Sequence, residues 1–155
     1  MLRDSNTQTK QMAYQVILAA VSREGDYATA SRLFSEMRDN NVPADRGHYH
    51  SLLAACSRVG DEESAEQIFD ALRSSGLTPD IQTYSIMTSC LRNNLPRCKE
   101  LNAEMRQRGI QQNATYFVEF FEALVLGGDA LGARALWAER PRGVDQRSRK
   151  CAALL

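Results

Sequence analysis

The sequence predicts an all-α fold, a solenoid of stacked helix–turn–helix repeats. Three observations predict it: an aromatic residue that returns at a near-constant interval, a helical apolar stripe after each one, and a glycine–aspartate turn before a second stripe. The aromatic residues are Tyr14, Tyr49, Tyr84 and Tyr116, so the first two intervals are 35 residues and the third is 32. Periods of this size signal repeat architectures, in which one unit is too small to bury its own apolar face and stacks on its neighbours.

The first helix of each repeat carries the tyrosine. Ile17, Leu18 and Val21 follow Tyr14; Leu52, Leu53 and Cys56 follow Tyr49; Met87 and Leu91 follow Tyr84. This i, i+3, i+4, i+7 spacing lays one apolar stripe along a short helix. The turns then read "REGD", "RVGD" and "LGGD", in which Gly25, Gly60 and Gly128 suit the left-handed backbone that ends a helix. Asp26, Asp61 and Asp129 are placed to cap the next helix. In the third repeat Pro96 takes the place of this turn, a good first residue for a helix.

The second helices carry Ala30, Leu33, Phe34 and Met37, then Ala65, Ile68, Phe69 and Leu72. Degraded versions follow at Cys98, Leu101, Asn102 and Met105, and at Ala133, Leu136 and Trp137. The small residue that opens each stripe lets paired helices approach closely. Asn41, Gly76 and Gly109 are suited to close these helices, followed by Val42, Leu77 and Ile110 as the hydrophobic residue of the cap. Pro43 and Pro79 forbid continuation. No strand-like alternation interrupts the series.

These signals divide the chain into an N-terminal extension (1–10), repeats at 11–45, 46–80 and a shortened 81–112, a divergent fourth at 113–140, and a tail at 141–155. The tail either opens another first helix near Asp145, with Cys151, Leu154 and Leu155 on its apolar side, or is a basic end in which Arg147, Arg149 and Lys150 cluster.

Composition narrows the function. With 43% apolar and 25% charged residues the chain is ordinary for a globular protein, and no apolar run approaches the roughly 18 residues of a membrane span. Formal charge is zero, which argues against a large sequence-blind attraction to phosphate. Of the 19 basic residues, however, all but Lys10, Lys99 and Lys150 are arginine, suited to forked contacts with phosphates, bases or carboxylates. Cys56, Cys90, Cys98 and Cys151 lack metal-ligand spacing, and the first three fall on apolar helix positions as small reduced thiols do. The opening "MLRDSNTQTKQ" has an early Asp4 and no apolar core, so no signal or transit peptide is visible there.

Residues 46–80, "RGHYHSLLAACSRVGDEESAEQIFDALRSSGLTPD", resemble the pentatricopeptide repeat almost throughout, and residues 11–45 nearly as well. That pattern opens with a Tyr-led helix, passes Gly-Asp, continues through Ala, Leu-Phe and Met, and ends Gly-hydrophobic-x-Pro-Asp. The resemblance covers about residues 11–139 and implies a right-handed α-solenoid that binds single-stranded RNA. It also implies a mitochondrial or chloroplast adaptor in RNA processing, stability or translation, without a cofactor. A protein-interaction scaffold, such as a subunit of an organellar ribosome, is the alternative.

In this family a base is read by the residue after the tyrosine together with the last residue of the repeat, while the second residue clamps the base from its side. The resemblance therefore implies Gln15 with Asp45 and clamp Met12 in repeat 1; His50 with Asp80 in repeat 2, where Gly47 stands at the clamp; and Ser85 with Gln112 and clamp Gln82 in repeat 3. Repeat 4 offers Phe117, which could only stack, and Ala114. An ionised aspartate only accepts hydrogen bonds, so Asp45 and Asp80 would favour the ring N–H of uracil or guanine over adenine and cytosine. Each Asp also precedes a helix and can serve as its cap. Arg23 and Arg58, with Arg92 one position earlier in its repeat, are the phosphate-contacting candidates or else solvated helix-end cations.

Catalytic patterns are missing from the sequence. His48 and His50 are two apart, so on a helix they diverge. Neither a zinc deaminase signature nor a phosphate-cradling glycine loop occurs. Glu62 and Glu63 suit the positive end of a helix. The chain is expected to be a binding protein and not an enzyme.

Overall fold

A computed structural model of the chain describes residues 2–140 and residue 144. Among them are eight helices and no strand: α1 (Leu2–Glu24), α2 (Tyr27–Asp39), α3 (Arg46–Val59), α4 (Glu62–Ser74), α5 (Ile81–Cys90), α6 (Leu95–Gln107), α7 (Ala114–Leu126) and α8 (Ala130–Ala138). Odd-numbered helices carry the first stripe and even-numbered helices the second. The chain divides into two compact units, Met1–Pro79 and Asp80–Leu155, each holding two helix pairs.

The turns form as the sequence dictates. Gly25, Gly60 and Gly128 take φ of 78°, 71° and 75°, and Asn41 takes 55° where α2 ends. Asp26, Asp61 and Asp129 accept the backbone N–H of Thr29, Ser64 and Gly132 at 2.8–3.0 Å. The Thr29 and Ser64 hydroxyls, and then these backbone bonds, hold the Asp26 and Asp61 carboxyls below the usual range; at Asp129 the Lys99 ammonium is the larger cause. In the first unit α3 packs on α1, α2 and α4, and Leu18, Ala30, Met37, Leu53, Cys56, Ala65, Phe69 and Leu72 are fully buried. Phe34 meets Tyr49 edge-on with ring centroids 5.0 Å apart, so the second helix of one pair supports the first helix of the next.

Two expectations shift here. Residues 2–10, read as an extension outside the repeats, continue α1, since no glycine or proline breaks the helix before Gly25. Ile17, placed in the buried stripe, is 46% exposed and lines an open groove with Tyr14, Leu33 and Glu36.

In the second unit α5 packs on α6 and α7, and α7 on α6 and α8. The third repeat is short because α5 has 10 residues against 14 in α3; Asn94 then caps α6 with Pro96 in its first turn. Past that turn the spacing corrects the register of the fourth repeat. Tyr49 and Tyr84 are the fourth residues of their helices, but α7 is capped by Asn113, so its fourth residue is Phe117 and not Tyr116. Gly128 follows Phe117 by 11 residues and Trp137 follows it by 20, as Gly60 and Phe69 follow Tyr49. Phe120, Phe121 and Leu124 complete the stripe behind Phe117, and all are buried. The third repeat therefore closes at Asn113 instead of Gln112.

Cys56, Cys90 and Cys98 are buried and outside any disulfide among the described residues. The readings placed on Asp145, Arg147, Arg149, Lys150, Cys151, Leu154 and Leu155 lie outside the described residues. Among the described residues no helix is long and apolar enough to cross a membrane.

Candidate nucleic-acid interface

Each first helix after α1 opens on an Asp or Asn in extended backbone. Asp45 Oδ1 accepts the His48 backbone N–H at 3.2 Å and lies 2.7 Å from His48 Nδ1. The buried His48 ring reaches back through Nε2 to the carbonyl oxygen of Gln11 at 3.1 Å, tying the start of α3 to α1. Asp80 Oδ1 accepts both the backbone N–H and the hydroxyl of Thr83, each at 2.9 Å. Asn113 Oδ1 accepts the Tyr116 N–H at 2.8 Å. The cap thus commits one oxygen in every case. At Asp45, 55% exposed, it leaves Oδ2 without a partner among the described residues. Asn113 keeps its amide N–H groups outside the cap bond.

The residues after the lead aromatic are less open. Gln15 is half-buried on α1, against Gly47. His50 is 8% exposed, and Ser85 is 5% exposed with its hydroxyl donating to Ile81 O at 2.8 Å. Phe117 is not a stacking platform: it is 1% exposed, packed against Phe121 and Trp137 with centroids 6.1 Å away in both cases. The residue after the true lead aromatic is Val118, half-buried. At the clamp position Met12 is 65% exposed and Gln82 is exposed, while the register puts exposed Thr115 there in place of Ala114.

Gln112 turns to α6, donating from Nε2 to Asn102 Oδ1 at 3.3 Å, and the Tyr116 hydroxyl bonds the same oxygen at 3.2 Å. Asn113, Thr115 and Val118 are the positions that sequence reasoning missed. Counting back from Gly128, Asp129 and Trp137 finds them, whereas matching tyrosines does not.

Arg23 and Arg58 are exposed in the last turns of α1 and α3, and the Arg58 stem passes beside Gly25, so both belong to one end of the first unit. Arg92 lies in the turn after α5, past its cap Leu91. It faces Glu119, whose carboxyl burial raises above the ordinary value, with Ser89 and Arg92 pulling the other way. Among the described residues no cluster of His, Cys, Asp or Glu could hold a metal ion.

The model of the pentatricopeptide repeat domain matches residues 32–94, and that of the single PPR repeat matches residues 12–42, together more than half of the chain. The chain belongs to the pentatricopeptide repeat family. Curated protein sequences give no match. Among solved structures, pentatricopeptide repeat protein PPR10 from maize superposes with a TM-score of 0.74 at 23% identity, over 83% of this chain and 19% of that one. The PPR domain of Arabidopsis thaliana protein-only RNase P 1, in complex with tRNA, gives 0.69 at 22% identity over 83% of this chain and 69% of that one. PPR10 in complex with an 18-nt psaJ RNA element gives 0.52 at 18%, over 83% and 24%. These likenesses establish the fold; this pentatricopeptide repeat chain spans about a fifth of the maize structure.

Proposed function

We propose that this pentatricopeptide repeat chain binds single-stranded RNA, one base per repeat, as an adaptor in organelle RNA processing, stability or translation. The observation that carries the reading is the recurrence of Asp45, Asp80 and Asn113 at the mouths of α3, α5 and α7, each turning its Oδ1 to the cap bond. Asp45, 55% exposed and bonded through Oδ1 alone, then offers its second oxygen as an acceptor to the ring N–H of uracil or guanine. Asn113, its oxygen bonded to the helix, offers donors to the ring nitrogen of adenine or cytosine. The RNA complexes of PPR10 and of the RNase P PPR domain support the ligand class. A mitochondrial or chloroplast location follows from the family's habit.

Affinity is modest on this reading. Stacking is worth about 1–3 kcal/mol per base, so three or four repeats supply roughly 4–8 kcal/mol, about millimolar to micromolar binding. A protein-interaction scaffold is the second reading, favoured by zero net charge and by exposed Met12, Val16 and Ile17 on α1.

Titration of uracil-rich and adenine-rich single strands separates them. The RNA reading expects the uracil-rich strand to bind more tightly at the first two repeats. Asp45→Ala and Asp80→Ala reduce that preference, and Arg23→Ala with Arg58→Ala weakens both strands. No binding, or equal binding indifferent to the Asp changes, leaves the scaffold standing.

A further inference from the structure

Two residues at the junction of the first two repeats depart from the pentatricopeptide pattern, and the structure joins them. Gln15 is a long side chain where the third repeat has Ser85, and Gly47 has no side chain where other repeats carry Met12, Gln82 and Thr115. A Cβ on Gly47 would lie 2.9 Å from Gln15 Oε1 and 3.1 Å from both its Cδ and Nε2. The carboxamide of Gln15 thus occupies the start of the missing side chain. Gly47 is not explained by its backbone, because the left-handed glycines are Gly25, Gly60, Gly76, Gly109 and Gly128, and Gly47 sits in the first turn of α3 with ordinary helical geometry. Gln15 Oε1 is buried with no hydrogen-bond partner, so packing over Gly47, and no polar bond to that oxygen, holds the group there.

We propose that Gln15 supplies the clamp that Gly47 lacks: its carboxamide, seated over Gly47, is the wall against which the base of repeat 1 packs from the side of repeat 2, and edge recognition of that base falls to Asp45. The proposal rests on the RNA-binding reading above. Packing against the face of a base is sequence-tolerant, because every base has one. Gln15 therefore adds affinity without preference, and Asp45 adds preference.

The test uses the full chain, with melting curves for each variant and titrations of uracil-rich and adenine-rich strands. Gln15→Ser, which installs the residue of the third repeat, weakens both strands equally, by about fivefold if the contact is at the low end of base stacking. Adding Gly47→Met, the clamp of repeat 1, restores binding in the Gln15→Ser background. Gly47→Met alone gives no gain, because its Cβ pushes the flexible Gln15 carboxamide aside and one wall replaces the other. A change in the ratio between strands on Gln15→Ser, or no rescue in the double variant, overturns the clamp alone. Failure of the wild-type chain to bind either strand overturns the RNA reading beneath it.

Discussion

Asp45 turns one oxygen to α3 and the other outward, so cap and reader can be separated by substitution. Asn caps a helix as well as Asp does, whereas Ala loses about 1 kcal/mol. Asp45→Asn is expected to leave the melting temperature nearly unchanged while moving preference from uracil-rich toward adenine-rich strands. An unchanged preference would confine Asp45 to capping. Glu119 gives a second test at this scale. Burial raises its carboxyl above the ordinary 4.5, so its protonated form favours the folded state. That contribution is fully present below pH 4.5 and is lost as pH rises through the raised value. Glu119→Gln should therefore raise the melting temperature at pH 7 and flatten the decline above the ordinary carboxylate range. Equal pH profiles for the two proteins would contradict the burial argument.

At the scale of an element, the start of α7 decides which aromatic leads. Phe117 is in the core with Phe121 and Trp137, whereas Tyr116 is buried but also bonds Asn102 through its hydroxyl. Phe117→Ala should cost about 3–5 kcal/mol by denaturant unfolding, the range for a buried aromatic. Tyr116→Phe should cost only about 1 kcal/mol, one hydrogen bond. Comparable losses would argue that the two share the lead role. The shortened α5 explains why the sequence misleads here: the residues missing before Asn94 move every later landmark closer to Tyr84, and Tyr116 happens to sit one place ahead of the true position.

For the whole molecule, charge is the governing quantity. A neutral chain has no broad basic field, so the salt dependence of RNA binding should come from the few arginines near the first-helix ends. Three contacts on a single strand, by Arg23, Arg58 and Arg92, predict a slope of log K against log salt of about −2, at about −0.7 per contact. Replacing Arg23 and Arg58 with Ala should bring it to about −0.7. A slope near zero in the wild-type chain would remove the phosphate role from all three. Each compact unit carries its own share of this charge: Arg23 and Arg58 in the first, Arg92 in the second.

Sequence alone determined the helix pairs, their caps and the family, because these depend on local chemistry: apolar spacing, a left-handed glycine, an aspartate before a first turn. Those signals survive without knowledge of neighbours, and they placed Asp26, Asp61 and Asp129 as caps. Tertiary structure alone decided which side chains remain available. The spacing of the tyrosines makes Phe117 a stacking ring, yet it is core, since Trp137, 20 residues away, packs against it. Gln112 yielded its place to Asn113 because a cap is defined by the N–H it accepts, which spacing from Tyr116 cannot reveal. Gln15 and Gly47, 32 residues apart, become one feature only when α3 packs on α1, because the sequence records each residue's volume but not the space it shares.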